Sequence, residues 1–172
     1  MKRKIAVIMA SVMMLSMFIL SGCGSSDDEK KDPDIQVNVS VAGPNIEEYK
    51  NIEIENLKEI NREDFKVVQI EVYAEYSEKY SDMKMTVPKF KDNCGIADDI
   101  QRYISGDSSL NENDIDRISK YEENFVLYTK GMTEKDIKTL LNKHKLTVEY
   151  KNSDGETEKQ EIALGDSAKF IK

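Results

Sequence analysis

The chain predicts a mainly β fold: an immunoglobulin-like antiparallel β-sandwich with one helix in the crossover before its last hairpin and a partly helical insertion. Three observations carry that expectation. Apolar and polar residues alternate in several short stretches. The clearest is Lys66 to Tyr76, where Val68, Ile70, Val72, Ala74 and Tyr76 face one way and Gln69, Glu71, Tyr73 and Glu75 the other. A hairpin pattern lies near the end of the chain, with Leu146, Val148 and Tyr150 alternating before the turn Asn152-Ser153-Asp154-Gly155, and Gln160, Ile162 and Leu164 after it. One amphipathic helix, spanning about residues 134 to 143, stands just before that hairpin. Antibody-type domains carry a core tryptophan and a cysteine pair; this chain has no tryptophan, so the sandwich rests on pattern alone. The rival is an α+β fold in which a strand at 125–129, the helix and a strand at 146–150 form a parallel βαβ unit.

The chain opens on a basic n-region, Lys2, Arg3 and Lys4, followed by the uncharged, largely apolar run Ile5 to Leu20. That order is the one a secretory signal needs. The run is shorter than the roughly 20 residues that cross a bilayer core comfortably, and small residues and a cysteine end it. Leu20, Ser21, Gly22 and Cys23 follow position for position the pattern of the lipobox, and the segment resembles the signal of bacterial lipoproteins. The resemblance implies cleavage after Gly22 and a diacylglycerol on the Cys23 thiol. Each buried methylene of such a lipid contributes about 0.8 kcal/mol, so two or more chains hold a protein at a membrane. The implied location is the outer face of the cell membrane, in a Gram-positive cell by preference, because nothing downstream is stapled by disulfides.

The organisation that follows is a signal peptide at 1–22, a lipidated flexible linker at 23–34 and a single domain at 35–172. Gly24 to Asp34 reads GSSDDEKKDPD, too polar to bury enough surface to offset the entropy of ordering it. The whole chain carries a formal charge of −8, and without the three cations of the n-region it stands at −11. Such a balance disfavours nucleic acid and flat adhesion to anionic lipid, both of which need basic surface.

Order begins at Ile35, with Val37, Val39 and Val41 in alternation before Gly43-Pro44-Asn45. Ile52 and Ile54 suggest a second strand, Lys66 to Tyr76 the longest, and Met83, Met85 and Val87 another before Pro88. Ile96, Ile100, Tyr103 and Ile104 fall at helical spacing with Gly106 as a stop, and Asn111 to Tyr121 offers a second helical stretch through Ile115 and Ile118. Phe125 to Thr129 is a dense run of β-formers. Thr133 then caps the main helix with Asp136 at the third position, Met132 and Ile137 are placed to staple it, and Lys143, His144 and Lys145 put positive charge at its C-terminal end.

Candidate chemistry is sparse. The one histidine, His144, is accounted for by its helix end, and with Cys94 as the only thiol besides Cys23 no four-ligand zinc site can be assembled. Cys94 itself reads as a buried, inert thiol. The acidic run from Asp107 through Asn111, Glu112, Asn113, Asp114 and Asp116 lacks the glycine and terminal glutamate of an EF-hand loop and reads as a solvated segment. Asp98 and Asp99, placed on a helix, would point to different sides of it. Tyrosine is the preferred aromatic of the body, and Tyr73, on the polar side of the longest strand, is the first candidate for contact with a ligand.

No catalytic residue, metal ligand or cofactor is expected, and the only assigned site is lipidation at Cys23. The expected function is a lipid-anchored, non-enzymatic surface module that binds a protein, wall component or small ligand, or serves an accessory role. An envelope enzyme or metal-dependent hydrolase using carboxylates, or a spacer in an envelope complex, would be the alternatives. The expected partners are the membrane, through the lipid on Cys23, and an unidentified protein or wall component.

Overall fold

The computed structural model describes residues 33–52 and 60–171. The expected signal, Cys23 and nearly all of the linker lie outside the described residues, as does most of the strand expected around Ile54. In chain order the elements are β1 (Asp34–Ala42), α1 (Ile46–Lys50), β2 (Phe65–Glu75), β3 (Ser81–Thr86), α2 (Phe90–Asn93), β4 (Ile96–Ala97), β5 (Ile100–Gln101), β6 (Tyr103–Asn113), β7 (Ile118–Tyr128), α3 (Glu134–Lys143), β8 (Leu146–Lys151), β9 (Thr157–Ile162) and β10 (Ala168–Ile171). Short 3-10 turns precede β2 (Arg62–Asp64) and β10 (Leu164–Ser167). The protein is mainly β.

A five-stranded sheet runs β10-β1-β2-β7-β6, and a three-stranded sheet runs β3-β8-β9. All pairings are antiparallel except β1 with β10, which is parallel. One core joins the two sheets: Val39, Val41, Val68, Ile70, Val72, Tyr121, Phe125 and Leu127 from the large sheet meet Met83, Met85, Leu146, Val148 and Tyr150 from the small one. Register explains this set. Val41, Val68 and Phe125 fall in one row across β1, β2 and β7, as do Val37, Val72 and Tyr121, so the alternation of each strand puts its apolar half on the same face.

α3 spans the expected residues. Thr133 Oγ1 accepts from Asp136 N at 3.2 Å and Asp136 Oδ2 accepts from Thr133 N at 2.8 Å, a reciprocal capping box. Ile137 and Leu141 are buried, and the helix packs on the 3-10 turn at Leu164–Ser167. That packing requires Gly165, where a Cβ would lie 2.1 Å from Lys138 O. The turn leads from β9 in the small sheet to β10 in the large one. The helix therefore sits before the last hairpin as expected, while β10, a strand beyond that hairpin, was not anticipated. The parallel βαβ alternative is not what forms, because β7 belongs to the large sheet and β8 to the small one.

The helical insertion is corrected. Ile96, Ile100 and Tyr103 do not share a helix face. Ile96 and Ile100 lie in the small hairpin β4–β5, whose turn residues Asp98 and Asp99 adopt φ of 52° and 62°, and Tyr103 starts β6. Two successive positive-φ residues suit a two-residue hairpin turn, a conformation open to aspartate. The stretch 111–121 is likewise the end of β6, the turn at 114–117 and the start of β7. Asn113 Oδ1 accepts from Ile115 N at 3.0 Å and Asp116 N at 3.1 Å, holding that turn. Ile115, expected on an apolar helix face, is 92 % exposed at its tip. Ser, Gly and Asn through 105–113 have little helix preference, and pairing along the length of β7 decides the outcome.

Candidate functional site

The two faces of the large sheet differ in what covers them. The inner face meets the small sheet. The outer face is divided in two by α1. Asn45 Oδ1 accepts from Glu47 N and Glu48 N, both at 2.9 Å, starting a single helical turn that brings Tyr49 to 6.0 Å from the Phe65 ring, which in turn lies 5.5 Å from Tyr128. Phe65, Val67 and Tyr128 are thus buried on the outer side.

Beyond that apolar end the outer face is uncovered by any described residue and polar. Register puts Gln36, Tyr73, Lys120 and Asn111 in one cross-strand row, Asn38, Glu71, Glu122 and Ser109 in the next, and Ser40, Gln69, Asn124 and Asp107 in a third. All are exposed or half-buried. Lys120 Nζ donates to Glu122 Oε1 at 2.7 Å, and this bond, helped by Glu71, raises the lysine's pKa. Ser40 Oγ donates to Gln69 Oε1 at 3.2 Å. The surface is a flat array of amides, hydroxyls and carboxylates around one tyrosine ring, with acidic groups outnumbering the single ammonium. It can exchange hydrogen bonds with a polar partner and stack on an apolar ring or sugar face through Tyr73, and it repels polyanions.

The other residues singled out from sequence scatter. His144 ends α3, its Nε2 lies 3.2 Å from Asn93 O, and its ring meets Phe90 edge-on at 5.9 Å. Asp98 accepts from the Tyr128 hydroxyl at 3.1 Å and lies 3.8 Å from Lys130 Nζ. Asp107 belongs to the open face, whereas Asp114 accepts from the Tyr76 hydroxyl at 3.4 Å at the β6–β7 turn. Cys94 is buried, and desolvation, with Glu123 adding and Arg102 opposing, pushes its thiol up to about 12, as an inert core thiol requires. Among the described residues no group of three or more His, Cys, Asp and Glu side chains is placed to hold a metal ion, and no helix is long and apolar enough to cross a membrane.

Sequence reasoning missed one group. Glu123 is 7 % exposed and points inward from the middle of β7, in the row that holds Val39, Ile70 and Ser108. The Tyr121 hydroxyl donates to its carboxylate. Burial raises the Glu123 pKa, with that hydrogen bond opposing, and raises the Tyr121 pKa as well. Tyr103 is pushed up to about 12, first by burial and then by Glu123, Asp107 and Cys94. The signal was available: with β7 starting at Ile118, the alternation Ser119, Tyr121, Glu123, Phe125, Leu127 puts one carboxylate among inward residues.

The protein is mainly β, and its largest sheet offers one polar face that no described residue covers. Comparison with family models, curated proteins and solved structures found no match to this chain.

Proposed function

We propose that the protein is an exported lipoprotein, held at the outer face of the cell membrane by lipid on Cys23, whose body is a non-enzymatic binding or accessory module of immunoglobulin-like type. The lipobox Leu20-Ser21-Gly22-Cys23 supports the anchor. Two sheets around one core support the sandwich reading, with the parallel β1–β10 pair making its connectivity a mixed one. The single observation that carries the binding role is the open polar face of the large sheet, centred on Tyr73 and Lys120. Broad, hydrogen-bonding surfaces with an aromatic residue suit a protein or wall polymer better than a small enclosed substrate.

Both halves are testable. Cys23→Ala in the full chain should abolish incorporation of labelled fatty acid and leave an unprocessed or shed form; a variant still carrying lipid would overturn the anchor. For the face, full chains with and without the paired changes Tyr73→Ala and Lys120→Ala are used to recover partners from envelope extract. Loss of specific bands with the variant is expected, and identical recovery by a folded variant would remove the face from the binding role.

A further inference from the structure

Among the described residues the five-stranded and three-stranded sheets have four edges, and three of them are blunted. β10 has four residues and carries Lys169. β9 carries Glu158, Lys159 and Glu161 within six residues. β3 has an irregular register between Ser81 and Lys84, and the Met85 N–H on its open side is taken at 2.8 Å by Glu112 Oε1. Charges, short length, irregular register and occupied donors are the ordinary devices that keep an edge from pairing with another chain.

β6 is less protected, although it carries two carboxylates, Asp107 and Glu112. It has eleven residues, none of them lysine, arginine or proline, and among the described residues it pairs with β7 alone. Its one register shift lies at Tyr103–Ser105, and from Ser105 to Asn113 the register against β7 is unbroken. The hydrogen bonds Tyr76 N to Arg117 O and Tyr128 N to Arg102 O fix which backbone groups are left. They show that even-numbered residues of β7 bond toward β6, so Ser105, Asp107, Ser109, Asn111 and Asn113 bond inward. The N–H and C=O groups of Gly106, Ser108, Leu110 and Glu112 therefore face outward along the edge.

We propose that two copies of the chain pair antiparallel through β6 about a two-fold axis at Leu110, joining their five-stranded sheets into one. The register follows from side chains. Leu110 is the one large apolar residue on that stretch of edge and is 41 % exposed. Pairing about Leu110 sets it against its own counterpart, Ser108 against Glu112, Ser109 against Asn111 and Asp107 against Asn113. No like charges meet. Pairing about Asp107 would set two carboxylates face to face, and pairing about Ser108 or Ser109 would leave Leu110 opposite Gly106 or Ser108. The axis stands perpendicular to the sheet, so the open polar faces of both copies lie on the same side and form one continuous surface. A contact this short falls below the size of a permanent interface, so the association is reversible.

Cysteine cross-linking of the full chain tests the register. Ser109 and Asn111 of opposite copies form a non-hydrogen-bonded pair, with Cα atoms about 4.5 Å apart, within disulfide range. A mixture of S109C and N111C chains under mild oxidation should give a disulfide-linked dimer at about tenfold or more the yield of either chain alone, with the wild-type chain controlling for its own thiols. Adding Leu110→Lys, which sets two ammonium groups together, should cut that yield about tenfold, while Ile171→Lys on β10, at the opposite edge of the sheet, should leave it unchanged. A mixture that links no better than wild type, S109C linking equally well alone, or full yield with Leu110→Lys would each overturn the proposal.

Discussion

The two faces of the large sheet are made by the same strands, one residue out of step, and have opposite fates. Inward, Val68, Ile70, Val72, Tyr121 and Phe125 are at most 1 % exposed. Outward, Gln69, Glu71, Tyr73, Lys120 and Asn124 stay in contact with solvent. The inner face supplies stability by removing apolar area from water, at about 25 cal/mol per Å². The outer face removes little apolar area from water and supplies little stability. Glu123 marks where the division is broken, a carboxyl on the inner face kept by one tyrosine hydroxyl.

Truncation on the inner side should cost the most. Phe125 stacks on Phe90 at 5.3 Å and on Tyr103 at 5.1 Å, so Phe125→Ala should cost about 3–5 kcal/mol in urea unfolding. A cost near zero would mean that the stack, which ties α2 to the large sheet, adds nothing to stability. Next comes Gly106→Ala, whose Cβ would lie 2.5 Å from Asn124 O and Phe125 Cβ. Because backbone must move, a loss of about 1–3 kcal/mol is expected, measured in the same way.

Glu123→Gln probes the inner face through pH. The raised pKa of Glu123 means that its contribution is fully present below the ordinary carboxylate value of 4.5 and is lost as pH rises from there through the folded value. Wild-type stability should therefore fall over that range relative to the glutamine variant, and unfolding midpoints that run parallel between about pH 4 and pH 8 would show that Glu123 ionises freely in the fold. The smallest effect belongs outside: Tyr73→Ala should shift stability by less than about 0.5 kcal/mol while altering partner recovery. A large loss of stability would make Tyr73 a structural residue and leave the open face without its aromatic candidate.

Most strands were legible because alternation survives any tertiary context that has one wet side. β1, β2, β3 and β8 carry it openly, and α3 announces itself through Thr133 and Asp136. β6 was illegible for a physical reason: both of its faces are solvent-exposed beyond Tyr103, so nothing enforces alternation and its polar sequence imitates a loop. The spacing of Ile96, Ile100 and Ile104 imitated a helix by coincidence, and the neighbouring aspartates at positive φ carried no apolar pattern to warn of a turn. Of the candidate site, Tyr73 was legible from one strand. Its neighbours Lys120 and Asn111 were not, since they arrive from strands far along the chain.

Residues within a few positions of one another dictate the mainly β class, the caps and phase of α3 and the face on which each alternating residue sits. Contacts across the whole fold settle which strands adjoin, that β10 returns parallel to β1, that Glu123 is enclosed, and that β6 is left as an edge among the described residues. Those outcomes depend on pairing between segments far apart in the chain, where backbone hydrogen bonds are nearly indifferent to residue type and the choice falls to the packing of the whole core.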